Sequence, residues 1–117
     1  MSQSHFVDWS AVPAKQLFPG IRARLVSGEK LMLARVELAP NALVPEHQHP
    51  HEQFGLLLEG EVHFTIGGER KHLKAGDYYT IPGDTLHMVE TGPDGAVALD
   101  IFAPPREDYL AFPDVSE

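Results

Sequence analysis

The sequence predicts a single all-β domain, a sandwich or barrel of short strands, and three observations carry that expectation. From Ile21 onward, short apolar-rich runs alternate with turn residues. Ten glycines and ten prolines are many for 117 residues, and they read as turn punctuation. Helical periodicity is nearly absent. Strands spaced this closely, with Gly or Pro at each turn, bury their apolar faces in a barrel or between two stacked sheets.

Taken in order, residues 1–20 read as an irregular N-terminal segment ending in the turn Phe18-Pro19-Gly20. Strands are expected at 21–26, 30–39, 53–59, 61–66, 69–73, 77–81, 85–91 and 96–103. Their separators are Ser27-Gly28, Pro40-Asn41, Gly60, Gly67-Gly68, Ala75-Gly76, Pro82-Gly83 and Pro93-Asp94-Gly95. The tightest hairpin signal is Ile66-Gly67-Gly68-Glu69, a two-residue turn that tolerates positive φ. Residues 104–117 form a C-terminal tail in which only Arg106 to Phe112 suits a short helical turn. With no repeat, linker or low-complexity stretch, residues 1–117 read as one domain.

Composition narrows the chemistry. The chain has no cysteine, which excludes disulfides, thiolate metal sites and cysteine nucleophiles, so a metal must use His, carboxylate or amide ligands. A net charge of −8, with nine Lys and Arg, repels nucleic acid and anionic membranes. A small anionic substrate stays open, because one placed Arg or a metal decides affinity locally. Neither a signal peptide nor a bilayer-length apolar run is visible, so a cytoplasmic protein is expected.

Seven histidines fall unevenly, with His47, His49 and His51 inside five residues. Residues two apart on a strand share a face, so His47 and His49 would present imidazoles side by side. Gln53 shares that parity. His51 follows Pro50 and is expected to turn aside. His87 follows the turn Pro82-Gly83-Asp84 into a new strand. A lone strand histidine is more often a hydrogen-bonded surface or core residue, which is the reading for His5, His63 and His72.

The segment resembles the cupin superfamily, whose first motif is Gly, five residues, His-x-His, three or four residues, Glu, six residues, Gly. Here His47-Gln48-His49, Gln53 and Gly60 match, while Asn41 stands for the leading Gly and Gln53 for Glu. The second motif, Gly, five residues, Pro-x-Gly-x-x-His, matches Gly76, Pro82 and His87, with Asp84 for the middle Gly. The resemblance implies a cupin β-barrel, a double-stranded β-helix of jelly-roll type. It also implies one divalent metal on His47, His49, Gln53 and His87. Gln is neutral and cannot act as a base, so such a metal would keep its full charge, which tilts the expectation toward non-redox chemistry.

The last strand carries Val97, Leu99 and Ile101 on one apolar face and Asp100 and Phe102 on the other. Asp100 is either exposed at a bulge or faces the interior, where a carboxylate needs a partner or a task. Beyond Pro104-Pro105, Arg106 is either a carboxylate anchor over the barrel mouth or a surface residue paired with Glu107 or Asp108.

Segments 44–53 and 100–110 resemble more closely the small pectin-degradation cupins, which open the ring of 4,5-unsaturated uronate monosaccharides from pectin or alginate breakdown. That family holds its metal with His, His, Gln and His, matched here by His47, His49, Gln53 and His87. Its essential Asp, Phe and Arg correspond to Asp100, Phe102 and Arg106. The resemblance implies proton transfer by Asp100, carboxylate binding by Arg106, ring packing by Phe102, and a homodimer, for which strand 30–39 is a candidate edge. Nickel, zinc, iron, manganese and cobalt all suit the ligand set. A cupin dioxygenase and a non-catalytic sugar-acid-binding cupin are the rival expectations.

Overall fold

The computed structural model describes residues 5–115. A 3₁₀ turn at Trp9–Ala11 precedes β1 (Ala14–Phe18), β2 (Ile21–Ser27), β3 (Met32–Leu38), β4 (Leu43–His47) and β5 (Glu52–Ile66). Then come β6 (Glu69–Lys74), β7 (Tyr78–Ile81), β8 (His87–Ala103), the helical turn α1 (Glu107–Leu110) and β9 (Asp114–Val115). All pairings are antiparallel, in the order β6-β5-β8-β3-β2-β1-β9, with β4 on β8 and β7 on β5. This is the antiparallel jelly-roll arrangement that the resemblance implies.

Two long strands organise it. β5 and β8 run against each other, and each takes different partners at its two ends. Gly60 and Pro93-Asp94-Gly95 were expected to end strands. Instead both chains bend there and continue, with the register shifting around Gly60. A Cβ on Gly60, whose φ is +82°, would lie 2.1 Å from the Gly95 carbonyl oxygen, so only glycine allows this crossing.

Three strands went unread in the sequence. β1 lies in the segment expected to be irregular, with Ala14 fully buried, and its tail partner β9 is two residues long. β4 contains Pro45, which argues against a strand. That proline falls where the β4–β8 register shifts between Val44 and His47, so its missing N–H costs no ladder bond. β3, by contrast, is no edge: β2 and β8 flank it, which corrects the expectation that strand 30–39 pairs across an interface.

Strict alternation on β3 buries Met32, Ala34, Val36 and Leu38. Across from it, β8 turns Ala96, Ala98, Asp100 and Phe102 inward, and Val97, Leu99 and Ile101 form the outer face. Over residues 96–103 both faces of β8 are apolar in sequence apart from Asp100, so periodicity could not choose between them. Small residues at Ala23, Ala34 and Ala98 leave interior room. Fully buried Ile21, Met32, Leu57, Val62 and Ile81 each stabilise the fold by about 1.5–3 kcal/mol. That reserve offsets a buried polar cluster whose groups would each cost about 1–3 kcal/mol if left unpaired.

Candidate metal centre

Five of the six buried polar or charged residues among those described are His49, Gln53, His87, Asp100 and Arg106. They belong to one region of the barrel. His47 sits at the end of β4, directly opposite His87 at the start of β8. His49 lies just past β4 rather than within a strand, so shared strand parity is not what brings it inward. The turn after β7 does so. The Asp84 amide donates to the His49 carbonyl at 2.7 Å, and a Cβ on Gly83 would lie 2.4 Å from the Pro50 carbonyl oxygen. The two motif loops are therefore locked together.

Both motif departures from glycine find a backbone reason. Asn41 (φ 59°) and Asp84 (φ 60°) are left-handed, and Asn and Asp are the non-glycine residues that adopt that region most readily.

His47, His49 and His87 each bring a ring nitrogen within 4.8 Å of the others. Their Nδ1 atoms all contact backbone carbonyls: His47 to Pro45 at 2.8 Å, His49 to His51 at 3.1 Å and His87 to Thr85 at 2.8 Å. A carbonyl only accepts, so the proton of a neutral His47 or His87 sits on Nδ1 and Nε2 presents a lone pair, whereas His49 has an acceptor at each ring nitrogen. Burial first, then the Arg106 charge and His87, pushes the His49 pKa down to about 4, and burial also lowers His87. Both rings are neutral at neutral pH.

Gln53 on β5 completes the set. Its Oε1 lies 3.1 Å from the His49 Nε2. A neutral His49 ring has one proton for two acceptors, the His51 carbonyl and the Gln53 oxygen. One of the two contacts therefore lacks a donor, and a cation on the Gln53 side would fill it. The donor set thus fits a divalent metal held by His47, His49, Gln53 and His87, each imidazole oriented by its own carbonyl. His51, expected to turn aside, contributes its backbone oxygen rather than its ring.

Asp100 is buried, not bulge-exposed. Burial pushes its pKa up to about 6, against the opposing hydrogen bonds from Tyr79 and Gln53. Tyr79 donates to its Oδ1 at 2.5 Å, and burial followed by the nearby carboxylate raises the phenol well above its ordinary range. Tyr79 was not singled out in the sequence, because one inward Tyr in a strand reads as core. The available signal was its cross-strand partner Gly55, the one glycine within the β5 segment before Gly60.

Arg106 combines parts of both sequence readings. It is buried, yet its Nε and Nη2 fork onto Asp108 at 3.3 and 2.8 Å. The guanidinium lies 3.7 Å from the Tyr109 ring centroid and 5.3 Å from that of Phe102, and the Arg106 bond holds Asp108 below the usual carboxylate range. Its Nη1 is buried without a hydrogen-bond partner among the described residues. Phe102 meets His49 edge-on at 5.7 Å and so joins the guanidinium to the imidazoles. Beyond Asp100 lies a cavity of about 50 Å³, lined by Val36, Leu57, Phe64 and Ala98 among others. It is too small for a sugar ring.

A jelly-roll barrel with imidazoles converging from these two motifs defines a cupin, and the chain belongs to the cupin domain family, which it matches over residues 34–102. It is similar to the pectin degradation protein KdgF of Dickeya dadantii (strain 3937), with 32% identity over 108 residues, covering 91% of this chain and 97% of that protein. Among solved structures it resembles KdgF from Halomonas sp., at 27% identity and a TM-score of 0.81, covering 92% of this chain and 98% of that one. It also resembles an RmlC-like cupin from Shewanella frigidimarina NCIMB 400, at 28% identity and a TM-score of 0.84 over 92% and 96% of the two chains.

Proposed function

We propose that the protein catalyses metal-dependent ring opening of 4,5-unsaturated uronate monosaccharides, from pectin or alginate breakdown, to the linear keto form. The observation that carries this reading is a neutral His₃Gln ligand set grouped with one buried carboxyl, Asp100, and one buried guanidinium, Arg106. The relative of 32% identity, a pectin degradation protein, supports the substrate class.

The substrate is a cyclic hemiacetal with a C4=C5 double bond and a C5 carboxylate. The Arg106 Nη1, without a hydrogen-bond partner among the described residues, donates to that carboxylate, which creates a local anion site in a protein of net charge −8. Phe102 packs on the ring and excludes water. Asp100, with a pKa of about 6, is matched to proton exchange near neutrality. It takes the C1 hydroxyl proton as the bond from C1 to the ring oxygen breaks and C1 becomes an aldehyde. The ring oxygen leaves as the C5 enolate, and delivery of the proton to C4 gives the 5-keto acid. The reaction is an isomerisation and consumes no oxidant. A divalent metal, when bound by His47, His49, Gln53 and His87, supplies Lewis acidity for developing negative charge on oxygen.

Product mass and oxygen uptake test the reading together. An isomer of unchanged mass with no oxygen consumed supports it. Oxygen uptake would favour a cupin dioxygenase, and a bound but unaltered sugar would leave a binding module. A homodimer is proposed as well, supported by the outward apolar residues Leu31, Phe54 and Ile101, and is tested by sedimentation.

A further inference from the structure

His63 and His72 read in the sequence as two separate strand histidines, and the fold brings them together. They lie on β5 and β6 as direct cross-strand partners. The hairpin between those strands closes on Gly67 and Gly68, whose φ values of 56° and 85° are both positive, as a type I′ two-residue turn requires. In such a turn the flanking pair, Ile66 and Glu69, exchanges hydrogen bonds, and the pairs then alternate along the ladder. His63 and His72 are the third pair beyond it, a non-hydrogen-bonded one, where side chains approach most closely. Val62, Phe64 and Leu73 beside them are buried, so alternation turns both imidazoles to the outer face, away from His47, His49 and His87.

The two ring centroids lie 4.9 Å apart. An imidazole nitrogen sits about 2.0–2.1 Å from a zinc ion, which puts its ring centroid about 3.2 Å away, so two rings at a tetrahedral angle stand about 5 Å apart. The candidate metal centre has the same scale, with centroids 5.0 Å apart for His49 and His87 and 4.2 Å for His47 and His87. A carboxylate is also in place. Glu61, on the same face of β5, brings its Oε1 to 2.9 Å from the His72 Nε2. A carboxylate only accepts, so in the neutral ring Nε2 carries the proton and Nδ1 offers the lone pair, the arrangement by which a carboxylate orients a histidine ligand. On the other flank Glu90 is the β8 partner of His63 and adds negative charge beside the pair.

We propose that His63 and His72 form a second metal site, on the outer face of the β5–β6 hairpin, which takes one divalent ion such as Zn²⁺ through a nitrogen of each ring. Imidazole ligands suit zinc, copper and nickel, and two of them leave the remaining positions to water. The side chains of His72 and Glu61 are 45% and 56% exposed, so the site is solvated and holds its ion more weakly than a buried centre. It empties on desalting, and the metal retained is that of the buried centre. β6 stands at one end of the strand order, so the bridging ion ties an edge strand to β5.

The test is titration of the metal-free protein with Zn²⁺ by calorimetry, with the histidine ring protons followed by NMR. His63→Gln and His72→Gln change the outer face of a hairpin and are expected to fold as the wild type does. Each is expected to bind one zinc ion fewer per chain than the wild type. In the wild type the ring signals of His63 and His72 are expected to shift together as that ion enters. Glu61→Gln is expected to keep the ion and weaken its binding by about tenfold, in the range for a residue that orients a ligand. A zinc count equal to the wild type's in either histidine variant overturns the inference. So does a wild type in which the two ring signals do not respond to zinc. The readout is a difference of one ion, so it stands whether or not the buried centre fills.

Discussion

The His49 Nε2 lies 3.1 Å from the Gln53 Oε1, and the Nδ1 of the same ring lies 3.1 Å from the His51 carbonyl oxygen. A neutral ring has one proton for those two acceptors, so one contact lacks a donor that a cation on the Gln53 side would replace.

Divalent metal is accordingly expected to stabilise the chain. At a free concentration one hundred times the dissociation constant the gain is about 2.7 kcal/mol, which raises Tm by on the order of 10 °C in a domain of this size. Elemental analysis is expected to find one metal per chain, and His49→Ala is expected to lose both the metal and the Tm shift. Calorimetry with and without chelator checks this.

Stability of the metal-free protein should report Asp100 and His49 with opposite signs. The Asp100 pKa rises from 3.8 to about 6 on folding, so its contribution is fully present below 3.8 and is lost as pH rises through 6. The His49 pKa falls from 6.5 to about 4, so its contribution is present above 6.5 and is lost as pH falls through 4. Between these limits the two slopes oppose, and His87 adds to the His49 direction. Asp100→Asn removes one of them, so its stability should rise with pH more steeply than the wild type, by about 1.4 kcal/mol per pH unit. Chelator-treated protein unfolded in urea at pH 4.5, 5.2 and 6 measures the difference.

The sequence made the site more legible than its surroundings. The spacing of His47, His49, Gln53 and His87 survives as geometry because two short loops carry it, and local spacing is what a sequence records. Tyr79 and Gly55 escaped because their importance is a cross-strand relation between residues 24 positions apart. The two long strands were cut at Gly60 and Gly95, because the same glycines that end strands also permit a close strand crossing. Arg106 stayed open between anchor and ion pair. The structure shows why: the fork holds Asp108 while Nη1 remains unpartnered among the described residues.

Gly55→Ala should be among the more damaging substitutions of small size. Its methyl group would meet the Tyr79 ring and Asp100 well inside contact distance, and both are buried. Overpacking of this kind costs about 1–3 kcal/mol, and breaking the phenol–carboxylate bond adds to it. Urea unfolding reads the loss directly.

Arg106→Gln should separate substrate binding from metal binding. Removing the cation proposed to meet the substrate carboxylate is expected to cost about 2–5 kcal/mol, so kcat/KM falls by roughly 10²-fold or more while metal content is unchanged. Kinetics paired with elemental analysis on the same preparation checks both halves.

Catalysed, metal-dependent ring opening is read in the decay of ultraviolet absorbance of a 4,5-unsaturated galacturonate solution, with the uncatalysed opening as the baseline. Metal-loaded protein should accelerate loss of the conjugated double bond. Chelation should return the decay to baseline, and Asp100→Asn or Arg106→Gln should slow it toward baseline. A decay unchanged by metal-loaded wild-type protein would mean that the protein does not open this ring.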